Sequence, residues 1–197
     1  MAPIDWNPPQ PRAGWRGQWD AFFGPGATAA EEWLQLVGGL ILSGLALLVF
    51  FSRFPAPNPA QIGVAILFAL DLSGGIITNA SASAKRLYHR EGQTWQQHLI
   101  FVLPHGVHLG LLVWLFPGFG WWFFGLFYGY LIVATLLILR MALYLQRPMA
   151  MTLYAGALLL NLLVPQSPGL EWVVPFLFLK LLIAHLLKEA PFQAPKP

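Results

Sequence analysis

Residues 62–90 read IGVAILFALDLSGGIITNASASAKRLYHR. From Ile62 to about Ala84 this is one long apolar run, and a helix needs about 20 such residues to cross the hydrocarbon of a bilayer. Amides in lipid must be satisfied within their own segment, which makes the run helical. It closes on Lys85, Arg86, Tyr88, His89 and Arg90, side chains that anchor a span at headgroup level. Its acid, Asp71, falls near the middle.

Composition extends this reading to the whole chain. Of 197 residues, 57% are hydrophobic and 10% charged, against about 45–50% and about 25% in soluble domains. With a mean hydropathy of +0.60, a soluble globule and a disordered chain are both excluded. There is no cysteine, which removes disulfides, Cys-ligated zinc, iron–sulfur clusters and a thiol nucleophile. The net charge of +3 rests on bases scattered at the ends of apolar runs, so nucleic-acid binding has no footprint.

Five further apolar runs parse as spans: 33–51, 98–116, 121–141, 149–164 and 172–187. Thr28 with Glu31 three residues on has the spacing of a capping box before the first. Pro117–Gly118 breaks the chain after the third, and Pro165, Pro168 and Gly169 punctuate the gap before the last. Residues 1–32 carry Trp6, Trp15, Trp19, Phe22 and Phe23 among Arg12 and Arg16. That composition suits an N-terminal interfacial segment better than a cleaved signal. Residues 33–189 form the six-helix domain and 190–197 a tail.

The bases test this parse, because short cytoplasmic loops collect Lys and Arg. With the N-terminus inside, the cytoplasmic segments hold Arg12, Arg16, Lys85, Arg86, Arg90, Arg140, Arg147, Lys188 and Lys196, and the outer loops hold Arg53 alone. One span more or fewer would reverse every later loop. The expected fold is therefore an all-α, polytopic integral membrane bundle of six transmembrane helices with both termini cytoplasmic. Its membrane would be an inner, plasma or thylakoid-type one in a prokaryote. Gly106/Gly110 and Gly125/Gly129 have the spacing of close helix contacts.

Ionisable groups deep in lipid are costly and usually face partners inside the bundle. Asp71 and Lys180 lie at similar depth, so they either form a buried ion pair or Lys180 snorkels away. At about 100° per residue, Asp71, Gly75, Thr78, Lys85 and His89 share one face, with Asn79 and Arg86 on its shoulder. His98, His105 and His108 fall within about 80° of one another on the next span, and Pro104 between them should open the helix locally. On the last span His185 sits about 140° from Lys180 on an α-helical count, which would turn the two toward different sites.

If these polar faces meet, Asp71, Asn79, His105 and His108 converge in one pocket. The expected function is an intramembrane enzyme acting on a lipid or isoprenoid-like substrate. Asp71, Asn79, His105 and His108 would be catalytic, while Lys85, Arg86, His89, His98 and Lys180 would bind the substrate and its anionic head. Asp71, His105 and His108 are also candidate ligands for a divalent metal, and the histidines for a tetrapyrrole. Two alternatives use the same residues: a small proton-coupled transporter, or a non-catalytic subunit of a membrane complex holding haem or chlorophyll. Expected partners are membrane lipids, a small hydrophobic ligand, and a second copy or a larger complex. No HxxxH, HxxHH or paired Asp-rich box occurs, and no family resemblance is drawn.

Overall fold

Thr28 begins the first long helix as its sequence context predicts. Its hydroxyl accepts from the Glu31 amide, and the Glu31 carboxylate takes the Thr28 amide at 2.9 Å. Asn58 and Gln61 repeat the device one helix later, and such caps contribute about 1 kcal/mol each. In this computed structural model, residues 5–191 are described. The expected cytoplasmic Lys196, with most of the 190–197 tail, lies outside them.

The chain runs through α1 (Trp15–Phe23), α2 (Ala29–Arg53), α3 (Pro59–Ala80), α4 (Ala82–His89), α5 (Trp95–Val102), α6 (Gly106–Leu115), α7 (Trp121–Arg140), α8 (Leu143–Leu163) and α9 (Val173–Phe178). Leu103–His105 is a 3₁₀ turn joining α5 to α6, and Leu179–His185 is a π-helical continuation of α9. Among the described residues there is no strand, and 74% of them are helical. Among the described residues four segments are long and apolar enough to cross a membrane: α2, α3, α5–α6 taken together, and α7. An integral, multi-pass membrane protein follows from these four.

Two breaks depart from the simple parse. The second apolar run stops at Ala80, where the Ser81 hydroxyl turns back to the Thr78 carbonyl and caps α4 through the Ala84 amide. Pro104 opens its helix as expected, and the 3₁₀ turn is the result. The glycine pairs behave differently from each other. A Cβ at Gly106 would strike the Tyr128 ring at 2.7 Å, so α6 and α7 touch there, while Gly125 and Gly129 have open space.

The last apolar segment is the centre of the bundle. Val173, Val174, Leu177, Phe178, Leu181, Leu182, Leu186 and Leu187 are all buried, and the π-helical stretch packs on α3, α7, α8 and α9. A helix apolar on every side belongs in a core. Polar contacts mark the two ends. At one, Lys85 and Arg147 both approach Glu189, and Arg140 lies over the Trp95 ring. At the other, Arg53 pairs with Glu171 at 3.0 Å and Gln61 donates to the Leu115 carbonyl.

Candidate functional site

Asp71 is three turns into α3, on the face turned toward the π-helical stretch. Lys180 crosses to it and its Nζ donates to Asp71 Oδ2 at 2.7 Å. His108, from α6, brings Nε2 to the same oxygen at 2.9 Å. Lys180 reaches Asp71 across Gly75, where a Cβ would lie 2.4 Å from Lys180 Cε. The ion pair is thus formed, and snorkelling is excluded.

Two donors meet on one oxygen. An ionised carboxylate only accepts, so His108 donates to it from Nε2. Its Nδ1 is buried without a partner. His105 donates from Nδ1 to the Phe101 carbonyl at 3.0 Å and stacks on His108 with ring centroids 5.3 Å apart. Phe68 covers His108 from another side. Lys180 has a side chain 5% exposed against 39% for Asp71, so the carboxylate is the open side of this cluster.

Toward the Lys85 end a second histidine group lies on the same seam. His98 Nδ1 and His185 Nε2 are 3.2 Å apart, the His89 Nε2–H donates to the His185 carbonyl, and the His89 and His98 rings lie 4.8 Å apart. The Phe101 ring stacks on His185 at 3.9 Å. His185 is the hub, and α-helical counting misses it. The π-helical bond from the Leu186 amide to the Leu181 carbonyl spans five residues, which places residues five apart, Lys180 and His185, on one face. The π-helical winding makes the separation smaller than the expected 140°, yet the two side chains still meet different partners, Asp71 and His98.

The other expected residues are distributed more widely. Asn79 is buried with Nδ2 unpartnered, two helical turns along α3 from Asp71 and therefore about 12 Å away along the axis. Lys85 donates to the carbonyls of Ala184 and Leu187, each at 2.7 Å, so its ammonium closes the end of the π-helical stretch. Burial pushes that ammonium down to about 8. It likewise pushes the His89 imidazole down to about 3, with His98 and Lys85 adding repulsion. Arg86 is half-buried on α4.

The metal reading of Asp71, His105 and His108 gains no support. Among the described residues no group of three or more His, Cys, Asp or Glu side chains is placed to hold an ion. The physical reason is that the Lys180 ammonium already lies against the oxygen a cation would need. The structure shows nothing that distinguishes a tetrapyrrole site.

Toward the Arg53 end the bundle packs aromatic rings together. Phe50 stacks with Phe54 at 5.2 Å and meets Phe116 edge-on at 6.2 Å, all buried. From Asp71 the histidine and lysine side chains continue toward the Lys85 end. No known protein family, curated protein or solved structure matches the chain.

Proposed function

We propose that the chain is a six-span integral membrane enzyme, both ends cytoplasmic, whose Asp71–His108–Lys180 site performs acid–base chemistry on a lipid or isoprenoid-like substrate. The supporting observation is the convergence of His108 Nε2 and Lys180 Nζ on Asp71 Oδ2. Lys180 keeps the carboxylate charged in a medium that penalises charge. The carboxylate orients His108 and stabilises its positive form, leaving Nδ1 as the base that takes a proton from a guest. His105, parallel beside it, is the next station for that proton. No step is routed through a metal.

The six-span topology has support of its own. α8 has 21 residues, a length of about 31 Å that matches the hydrocarbon thickness. The Val173–His185 segment is shorter and lies in the core, where neighbouring helices and not lipid surround it. Lys85, Arg140 and Arg147 gather at one end of the molecule, and Arg53, the exception to the charge rule, is met by Glu171 at the other.

The convergence of an acid, an imidazole and an ammonium on one oxygen supports acid–base chemistry, and the apolar packing of Phe50, Phe54 and Phe116 gives a carrier no polar lining at that end. Proton transport retains one specific observation, the histidine group at His98 and His185 on the same seam. A single experiment separates the two. Proteoliposomes of the wild type and Asp71→Asn are incubated with a total lipid extract, and lipid masses and internal pH are followed together. Conversion of a lipid by the wild type alone supports the enzyme, and proton flux without conversion supports the carrier. Conversion that survives Asp71→Asn, with helicity unchanged, removes the proposal.

A further inference from the structure

α1, the first half of α2 and the second half of α3 enclose a groove of about 720 Å³, within the range of small-ligand sites. It is separate from the Asp71 site. Leu70 and Gly74 face the groove, whereas Asp71 and Gly75, one step round the same helix, face Lys180. Trp15, Trp19, Phe22, Leu36 and Leu40 supply its walls, and among the described residues no ionisable side chain lines it.

The groove is built and not incidental. The Phe23 carbonyl at the end of α1 accepts from Gln35 Nε2 at 3.3 Å and from the Ser83 hydroxyl at 2.8 Å, which holds α1 as a fixed wall. Gly24, at a φ of +91°, lets the chain turn away against the backbone of Ser83 and Ala84. A Cβ at Gly39 would lie 3.3 Å from Gly74 Cα, so the two helices close beneath the groove, while a Cβ at Gly74 would meet nothing within 4 Å. Gln35 lines this space, is 4% exposed, and its Oε1 has no partner. Buried acceptors are nearly always matched to a donor.

We infer that this groove binds the hydrocarbon chain of a neutral lipid alcohol, whose hydroxyl donates to Gln35 Oε1. Apolar walls take the chain. The absence of any cation in the lining removes the attraction a phosphate or carboxylate head would need, and the unmatched acceptor selects a donor. Trp15 and Trp19 sit where such a hydroxyl end meets the headgroups. The inference stands on this groove alone and holds whatever the Asp71 site does.

The test uses the full chain in phosphatidylcholine nanodiscs and three photoactivatable probes of equal length: a long-chain alcohol, its methyl ether and the fatty acid. The alcohol is expected to label residues 15–43 about tenfold more than the ether, the ratio for one lost hydrogen bond. Gly74→Leu fills the groove and removes labelling, while Gly63→Leu, on the exposed side of α3, leaves it. Gln35→Leu makes alcohol and ether equal; if that variant fails to fold, Gly74→Leu decides alone. Asp71→Asn keeps the labelling even where turnover is lost, so failure of one proposal is visible apart from failure of the other. Equal labelling by alcohol and ether in the wild type, stronger labelling by the fatty acid, or labelling retained in Gly74→Leu overturns the inference.

Discussion

Lys180 lies across Gly75, so closely that a Cβ there would stand 2.4 Å from Lys180 Cε and 2.7 Å from Cδ. The ion pair with Asp71 therefore depends on a missing side chain one turn along α3. Gly75→Ala is expected to push Lys180 off Asp71 and to destabilise the bundle by about 1–3 kcal/mol, the usual cost of overpacking. Gly74→Ala, with open space around its Cβ, is expected to be near neutral. Thermal unfolding of the two variants in one detergent decides between them; equal behaviour contradicts the geometry.

Removing one partner of the pair should cost more than removing both. Asp71→Asn leaves a buried ammonium without its counter-charge, at roughly 2–3 kcal/mol, toward the low end because the carboxylate is partly exposed. Asp71→Asn/Lys180→Met restores charge balance and is expected to recover much of that loss. Additive effects in the double-mutant cycle would show that the two side chains do not meet.

Lys85 was expected at the sequence level to hold an anionic head, and its two carbonyl partners predict something else. Lys85→Met should lower stability by about 1–3 kcal/mol by leaving the Ala184 and Leu187 carbonyls unpaired. Vesicle binding to anionic lipid should change little. A variant of full stability with weakened anionic-lipid binding would return Lys85 to its expected role.

The same end of the molecule should respond to pH in a defined direction. Burial first, then repulsion from His98 and Lys85, lowers His89 from 6.5 to about 3. An unfolded chain therefore binds this proton where the folded one does not, and stability falls as pH drops from about 6.5 toward 3. Lys85, lowered from 10.5 to about 8 by burial and opposed by Glu189, has the same sign, its penalty being relieved as pH rises from about 8 to 10.5. Melting of the wild type between pH 6.5 and 4 should steepen relative to His89→Gln, which keeps a donor for the His185 carbonyl. Parallel curves would show that His89 is not the group responsible.

Much of this fold is legible in the sequence because lipid permits few solutions. Apolar length, the Thr28–Glu31 capping box, the Pro104 break and the depth of Asp71 and Lys180 all follow from local rules. The remainder depends on one helical irregularity and one packing choice. Nothing local in residues 179–185 announces a π-helical turn, so the position of His185 was hidden, and with it the meeting of His98 and His185. Nor does adjacency in sequence reveal that the final segment, rather than α6 alone, covers the polar face of α3. Its apolar character on every side was the available sign of a central position.

The most direct test of the Asp71–His108–Lys180 site is the nitrogen-15 NMR spectrum of His108 in the full chain in lipid, assigned with His108→Gln. A ring with its proton on Nε2, as the contact with Asp71 Oδ2 at 2.9 Å requires, and a bare Nδ1, as the role of base requires, is the expected result. A bare Nε2 or protons on both nitrogens would contradict it, because the first leaves nothing to donate to Asp71 and the second leaves no lone pair with which to act as the base.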